Sequence, residues 1–238
     1  MTQALRKADM AATVRVDGVR FGWTRDEPIL DIGRLDIEAG ERILIQGASG
    51  SGKTTLLSLL AGILVPQAGS IEISGATISA MPASGRDRFR ADHIGFVFQQ
   101  FNLLPYLSVR ENVLLPRAFS ERRAMRASPR QADALLDQLG LDAKTFADRP
   151  ATSLSIGQQQ RVAVARALIG APDILIADEP TSALDADARD AFLRLVFAEC
   201  ARAGITLVLV SHDPSLIPLF DRAVRLADIN RADGTVTA

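Results

Sequence analysis

The sequence predicts an α/β protein with a mostly parallel, twisted sheet covered on both faces. Three observations predict it. Short apolar runs of strand length alternate along the chain with longer stretches of helical periodicity. Turn residues punctuate most of the junctions. Of the 238 residues, 47% are hydrophobic, which is ample for a buried core.

Val14 to Arg20, Ile29 to Ile37 and Arg42 to Ile45 carry alternating or short apolar runs and read as strands, the last ending at Gly47. From Lys53 to Ala61 the apolar spacing turns helical, with Gly62 placed as a C-terminal cap. Gly69 to Ile78 reads as a hairpin pair. Ile94 to Phe98 reads as a short buried strand, followed by the apolar but Gln/Asn-studded stretch Gln99 to Leu107. Between Arg110 and Arg149 the composition shifts to Ala, Leu, Arg and Asp, the mark of a small helical subdomain inserted in the α/β core. Within it Ser128-Pro129 starts a helix and Gly140 stops it, while Ala132, Leu135, Leu136 and Leu139 form its apolar stripe. A helix from Ile156 to Ile169, a buried strand from Ile174 to Ala177 and a helix from Ala186 to Ala203 follow. Gly204 stands just past that helix, and Ile205 to Val210 is the last clear strand.

A formal net charge of −1 excludes a globally basic nucleic-acid binder. The single cysteine, Cys200, excludes an intrachain disulfide and a multi-cysteine zinc site; on a helical stretch it reads as a small buried hydrophobe. The opening MTQALRKADMAA lacks the apolar core of a secretory signal. The best apolar run, Leu56 to Val65, is too short to span a bilayer and is broken by Ser58 and Gly62. The expectation is a cytosolic protein whose membrane role, if it has one, comes through a partner.

Gly47-Ala48-Ser49-Gly50-Ser51-Gly52-Lys53-Thr54 fits the pattern G-x-x-x-x-G-K-[ST] in full, after a strand and at the start of a helix. Glycines let backbone N–H groups converge on phosphate oxygens, and the helix start adds partial positive charge. Lys53 then reaches the β- and γ-phosphates and the Thr54 hydroxyl ligates Mg²⁺. A plain Gly/Ser turn matches four fixed positions by chance in only about one chain in a hundred of this length. Ile174-Leu175-Ile176-Ala177-Asp178-Glu179 is an apolar strand ending in two carboxylates. Two acids there are commonly just a turn, but beside a phosphate loop Asp178 suits Mg²⁺ and Glu179 suits the attacking water. Val210-Ser211-His212-Asp213 closes another apolar strand, where His212 can donate to the γ-phosphate. His93 lacks such a placement and is left unassigned.

Leu154-Ser155-Ile156-Gly157-Gln158-Gln159-Gln160-Arg161, downstream of Lys53 and shortly before Asp178, is similar to the signature motif of the ABC ATPase family. Gln99 in GFVFQQFNLLP resembles the family's Q-loop, Ser182-Ala183-Leu184-Asp185 its D-loop, and Ser211-His212-Asp213 its switch region. Trp23 in FGW lies where the family often places an aromatic on adenine. The open alternative is that Trp23 covers the sheet edge and Phe21 takes that role. The likeness runs from about Val14 to Leu226. Ile156 departs from it, since the usual residue is glycine.

The resemblance implies a P-loop NTPase core with a mostly parallel sheet, an antiparallel β subdomain and an inserted helical subdomain. It implies one domain over 1–238, with the ATP-binding core at 13–85 and 162–228 and a mainly helical signature subdomain at 86–161. It implies ATP and Mg²⁺ as cofactors. Trp23, Gly47, Ala48, Ser49, Gly50, Ser51, Gly52, Lys53, Thr54, Thr55, Ser155, Gly157, Gln158 and Asp185 would contact nucleotide. Thr54, Gln99 and Asp178 would hold the metal, with Glu179, His212 and Gln99 catalytic. Two copies would sandwich each ATP between the phosphate loop of one and the signature of the other, and hydrolysis would part them. The phrases IGFVFQQFNLLPYLSVRENV and LSIGQQQRVAVARAL resemble the lipoprotein-release and macrolide-exporter group, which pairs cassettes with transmembrane permease subunits and in some cases a periplasmic adaptor. That implies a peripheral place on the inner face of the cell membrane, with Phe101, Leu103, Leu104 and Tyr106 as an apolar socket for a permease helix. The rivals are a non-transport ABC ATPase acting on DNA or ribosomes, which usually carries coiled coils or zinc modules absent from the Lys53–Leu154 stretch, and a weakly hydrolysing regulator, which Ile156 suggests.

Overall fold

Alternating side chains organise the first strands. In β1 (Ala12–Phe21) Val14, Val16, Val19 and Phe21 are buried while Arg15, Asp17 and Arg20 face water. The inward phase switches between Val16 and Val19, around Gly18 at φ 58°. There β1 slips register against β4 (Ala68–Ile73), and a Cβ at Gly69 would come within 2.2 Å of Gly18 O. That close approach demands glycine at Gly69, and Gly18 takes the left-handed conformation glycine adopts most readily. β2 (Leu30–Glu38) pairs antiparallel with the other side of β1, and β5 (Ala76–Thr77) closes a hairpin on β4 through Ser74 and Gly75, both at positive φ. The resulting antiparallel sheet has the order β2-β1-β4-β5.

The structure is a computed structural model that describes residues 12–24, 27–182 and 184–232. Residues 1–11, on which most of the signal-peptide reading fell, and Ala183 of the D-loop-like motif lie outside them. The chain divides into two compact units, one running to Arg86 and resuming at Val210, the other Asp87–Leu209.

In the first unit β3 (Arg42–Gln46) is a continuous apolar run, with Ile43, Leu44 and Ile45 fully buried, as a strand covered on both faces requires. It leads through residues 47–52 into α1 (Lys53–Leu60), which buries Leu56, Leu57, Leu59 and Leu60 and ends before Gly62 at φ 65°. α2 (Ala83–His93) is a helix that hydrophobic periodicity does not announce: it buries none of its residues. Its start is tied down by Arg86, which donates to Gly62 O at 3.1 Å and Met81 O at 2.6 Å.

In the second unit β6 (Ile94–Val97) runs parallel to β7 (Ile174–Asp178), with Ile94 opposite Ile174 and Val97 opposite Ala177. Between them in sequence come α3 (Val109–Leu114), α4 (Glu121–Ala124), α5 (Pro129–Gln138), α6 (Ala143–Phe146) and α7 (Ile156–Leu168). α5 has the start expected of it: Ser128 accepts from Gln131 N, Pro129 opens the first turn, and Ala132, Leu135 and Leu136 are buried. α7 lies so close to β6 that a Cβ at Gly95 would fall 2.4 Å from Ala167 O. At its C-terminal end the buried Arg123 donates to Ala167 O at 2.5 Å and Ile169 O at 2.8 Å, placing a cation where the helix dipole is negative. Burial pushes its pKa down to about 10, and the neighbouring Arg122 adds to the fall. α8 (Ala186–Ala203) buries Phe192, Leu193, Val196 and Cys200 and stops at Gly204, φ 66°. β8 (Thr206–Ser211), buried throughout, lies next to β7.

The chain then returns to the first unit, where β9 (Arg222–Arg225) pairs parallel with β3 and precedes α9 (Leu226–Ile229). β8 is therefore not the last strand. β9 is short and mostly exposed, so it lacks the apolar run by which a buried strand is read. Among the described residues no helix is long and apolar enough to cross a membrane.

Candidate nucleotide site

The first unit holds the phosphate loop. A Cβ at Gly47 would stand 2.5 Å from Ser51 Oγ, so a larger residue there would push that hydroxyl aside. Gly52, at φ 96°, caps α1, whose first turn carries no acidic side chain to compete for the positive end of the helix. Lys53 is buried, and its ammonium donates to Gly47 O at 2.9 Å and Ala48 O at 2.8 Å, folding the side chain back over the loop. Thr54 is exposed on the same first turn and Thr55 half-buried beside it. Among the described residues Ser51 Oγ has no hydrogen-bond partner, although it is buried. An unmet hydroxyl of that kind costs about 1–3 kcal/mol, and a phosphate oxygen seated in the loop supplies what it lacks. The donor set fits the tail of a nucleotide.

Two further expected residues belong to this unit. Trp23 is 69% exposed and meets Phe21 edge-on, with ring centroids 5.3 Å apart at 82°. Phe21 is 7% exposed, so its ring is spent on the core, and of the two aromatics Trp23 offers the free surface. His212 is exposed in the turn after β8. That turn is tied to the strand feeding the phosphate loop: Gln46 Nε2 donates to Asp213 O at 3.3 Å, and Asp213 N donates to Ser211 Oγ at 3.1 Å. The sequence marks Gln46 only as an amide closing an apolar strand.

The second unit holds the carboxylates. Asp178 ends β7 and is 8% exposed. Glu179 follows at φ 44°, in the left-handed region that disfavours side chains bearing a Cβ. Strain of this kind collects where a side chain must point in one direction. The following turn is braced by Ser182 N on Glu179 O at 3.3 Å and Leu184 N on Thr181 O at 3.1 Å. Asp185 accepts from Ala188 N at 2.8 Å and caps α8.

α7 begins in a capping box. Ser155 Oγ accepts from Gln158 N at 3.4 Å, and Gln158 Oε1 accepts from Ser155 N at 2.9 Å. Ile156 is 59% exposed and points to solvent. Among the described residues a Cβ at Gly157 would meet nothing nearer than Leu184 Cδ2 at 4.0 Å, so none of them demands glycine there. Gln160, absent from the expected set, is 1% exposed and donates to Pro180 O, joining this helix to the turn after the two acids. Gln99 stands exposed in the turn after β6. Phe101 is only 9% exposed, so of the apolar socket residues it belongs to the interior; Leu103 and Leu104 are half-buried and Tyr106 is 78% exposed.

A glycine loop carrying a buried lysine between a core strand and a helix defines a P-loop NTPase of the α/β class, and the Ser155 helix start narrows it further. The chain belongs to the ABC transporter family and is an ATP-hydrolysing cassette: a family model described as "ABC transporter" matches residues 30–182. It is 42% identical over 219 residues to the lipoprotein-releasing system ATP-binding protein LolD of Anaeromyxobacter dehalogenans, covering 91% of each chain. It is also 42% identical over 204 residues to the macrolide export ATP-binding/permease protein MacB of Rhodopirellula baltica, covering 85% of this chain but 30% of that longer protein. Among solved structures it resembles the dimeric bacterial ABC transporter cassette MJ0796, with a TM-score of 0.78, 33% identity, and coverage of 89% of this chain and 93% of that one. A second structure of MJ0796, a post-hydrolysis state bound to ADP and Pi, matches equally well in TM-score at 34% identity.

Proposed function

We propose that the chain powers substrate export across a membrane as the ATPase subunit of an ABC transporter, acting as a dimer of two copies against transmembrane permease subunits. One observation carries the reading. The start of α7 is exposed at Ser155 and Ile156, and among the described residues nothing packs against Gly157 closely enough to demand glycine. Such a helix start suits an anion delivered by another molecule. The phosphate tail held in the Lys53 loop of a second copy is that anion. The outward side chain of Ile156 leaves Ser155 Oγ and the main chain at Gly157 uncovered, which removes the reason for reading a non-hydrolysing regulator.

Lys53 and the loop from Gly47 to Thr55 bind the phosphates, and Trp23 offers its face to adenine. Mg²⁺ would neutralise phosphate charge on the bound nucleotide. Thr54, Asp178 and Gln99 would supply the oxygen donors such a hard cation takes. Glu179 takes a proton from the attacking water, and His212 donates toward the γ-phosphate oxygens. Asp185, engaged at the start of α8, acts by setting the turn before it. Leu103, Leu104 and Tyr106 offer apolar surface to a permease helix at the inner face of the membrane; a periplasmic adaptor belongs to the same arrangement in the macrolide-export type.

The test is dimerisation. Glu179→Gln with ATP and Mg²⁺ is expected to run as a dimer in light scattering, and Ser155→Arg in that background as a monomer that still binds ATP. A monomer in the first case, or an undisturbed dimer in the second, defeats the reading.

A further inference from the structure

The turn that carries Gln99 is held by a residue the expected site does not include. Phe101 and Asn102 stand side by side at φ 58° and 48°, a left-handed pair without a glycine. Asparagine visits that region on occasion, but an aromatic residue there is strained and needs its surroundings to hold it. Arg166, in the last turn of α7, donates from Nη1 to Asn102 O at 2.6 Å and from Nη2 to Phe101 O at 2.5 Å. The two arms of one planar guanidinium thus hold two consecutive carbonyls, a fork that lysine cannot reproduce. Burial lowers the pKa of Arg166, so the group bears a desolvation cost that the two bonds offset. On the far side Asn112, fully buried, accepts from Leu104 N at 2.8 Å and donates to Leu104 O at 3.0 Å. The loop is therefore clamped from α7 and from α3.

We infer that Arg166 is a positioning residue for ATP turnover: it fixes the turn that presents Gln99, and it couples that turn to the signature through a single helix. The inference rests on the role given to Gln99 above. α7 is capped by Ser155 and carries Arg166 eleven residues on, roughly 16 Å along a rigid rod. A shift of the Gln99 turn is thereby handed to Ser155, and a shift of Ser155 to Gln99.

The experiment is a double-mutant cycle read with amide exchange. Arg166→Met is expected to lower kcat by about ten- to a hundredfold, the loss that a misplacement near 1 Å produces. Arg166→Lys, which keeps the charge but not the fork, is expected to lose an intermediate amount with an unchanged melting temperature. Exchange at the N–H groups of Phe101 and Asn102, bonded to Phe98 O at 3.0 Å and Gln100 O at 2.6 Å, should quicken in Arg166→Met. Gln99→Ala/Arg166→Met should be no slower than Gln99→Ala alone, because the arginine acts through the glutamine. Losses that multiply in the double variant, a wild-type kcat in Arg166→Met, or unchanged exchange at the turn each overturn the inference. A wild-type rate in Gln99→Ala alone overturns the role of Gln99 first and the inference with it, so the two failures are told apart by that single arm.

Discussion

Glu179 is the place where stability and activity are expected to pull in opposite directions. Its φ of 44° costs a residue with a Cβ about 1–2 kcal/mol. Glycine escapes that penalty but gives back about 0.5–1 kcal/mol through the freedom it gains when unfolded. Glu179→Ala and Glu179→Gly remove the same carboxylate and every contact it makes, so their difference isolates the backbone. The glycine variant should be the more stable by about 0.5–1 kcal/mol, which for a chain of this size is a rise of about 1–4 °C in melting temperature. Turnover in both should fall by at least about a hundredfold, the usual loss when a general base is removed. The assay is calorimetry of the nucleotide-free variants beside a phosphate-release assay. If alanine melts at or above glycine, the backbone at 179 is not strained and the argument that strain aims this carboxylate is refuted.

Two other outcomes follow from positions already described. Gly157→Ala should leave the melting temperature unchanged or raised, because among the described residues the added methyl meets only Leu184 Cδ2 at 4.0 Å and alanine favours helix by about 1 kcal/mol, yet ATP-driven dimerisation and turnover should fall; equal turnover would show that nothing from outside needs the space. Asp173 accepts from Arg122 Nη2 at 2.6 Å and pairs with His93 Nδ1 at 2.7 Å. Burial raises its pKa, but these bonds and charges together outweigh burial and bring it down from 3.8 to about 2. A folded pKa below the unfolded one stabilises at pH above 3.8, and the gain is lost as pH falls from there toward 2. Discounted for its partial exposure, the gain is about 1 kcal/mol, so Asp173→Asn should cost that much at pH 7 and next to nothing near pH 2 in urea titrations; a cost independent of pH would contradict the assignment.

The phosphate loop and the strand ending in Asp178 were legible because their chemistry needs contiguous residue types. β3 and β7 announced themselves as unbroken apolar runs, and α8 by its length and by Gly204 at its end. α2 was not legible, since Ala83–His93 buries nothing and is pinned by arginine bonds to main-chain carbonyls. β9 was missed for the same want of an apolar face. The residues that brace the site share one reason for escaping notice. Gln46, Gln160 and Arg166 each grip a carbonyl, at sequence separations of 167, 20 and 64 residues. A carbonyl is common to every residue type, so nothing in the letters at Asp213, Pro180 or Asn102 marks them as partners. Phe101 shows the converse: an apolar residue in a loop suggests surface, but its side chain is buried.

Trp23 is the only tryptophan among the 238 residues, and it stands in water with one edge resting on Phe21. Ultraviolet emission excited at the indole band therefore comes from one address, free of any second indole signal. The molecule carries its own optical reporter on the phosphate-loop unit, and a ligand settling over that ring can be followed in unlabelled protein, at micromolar concentration, in real time.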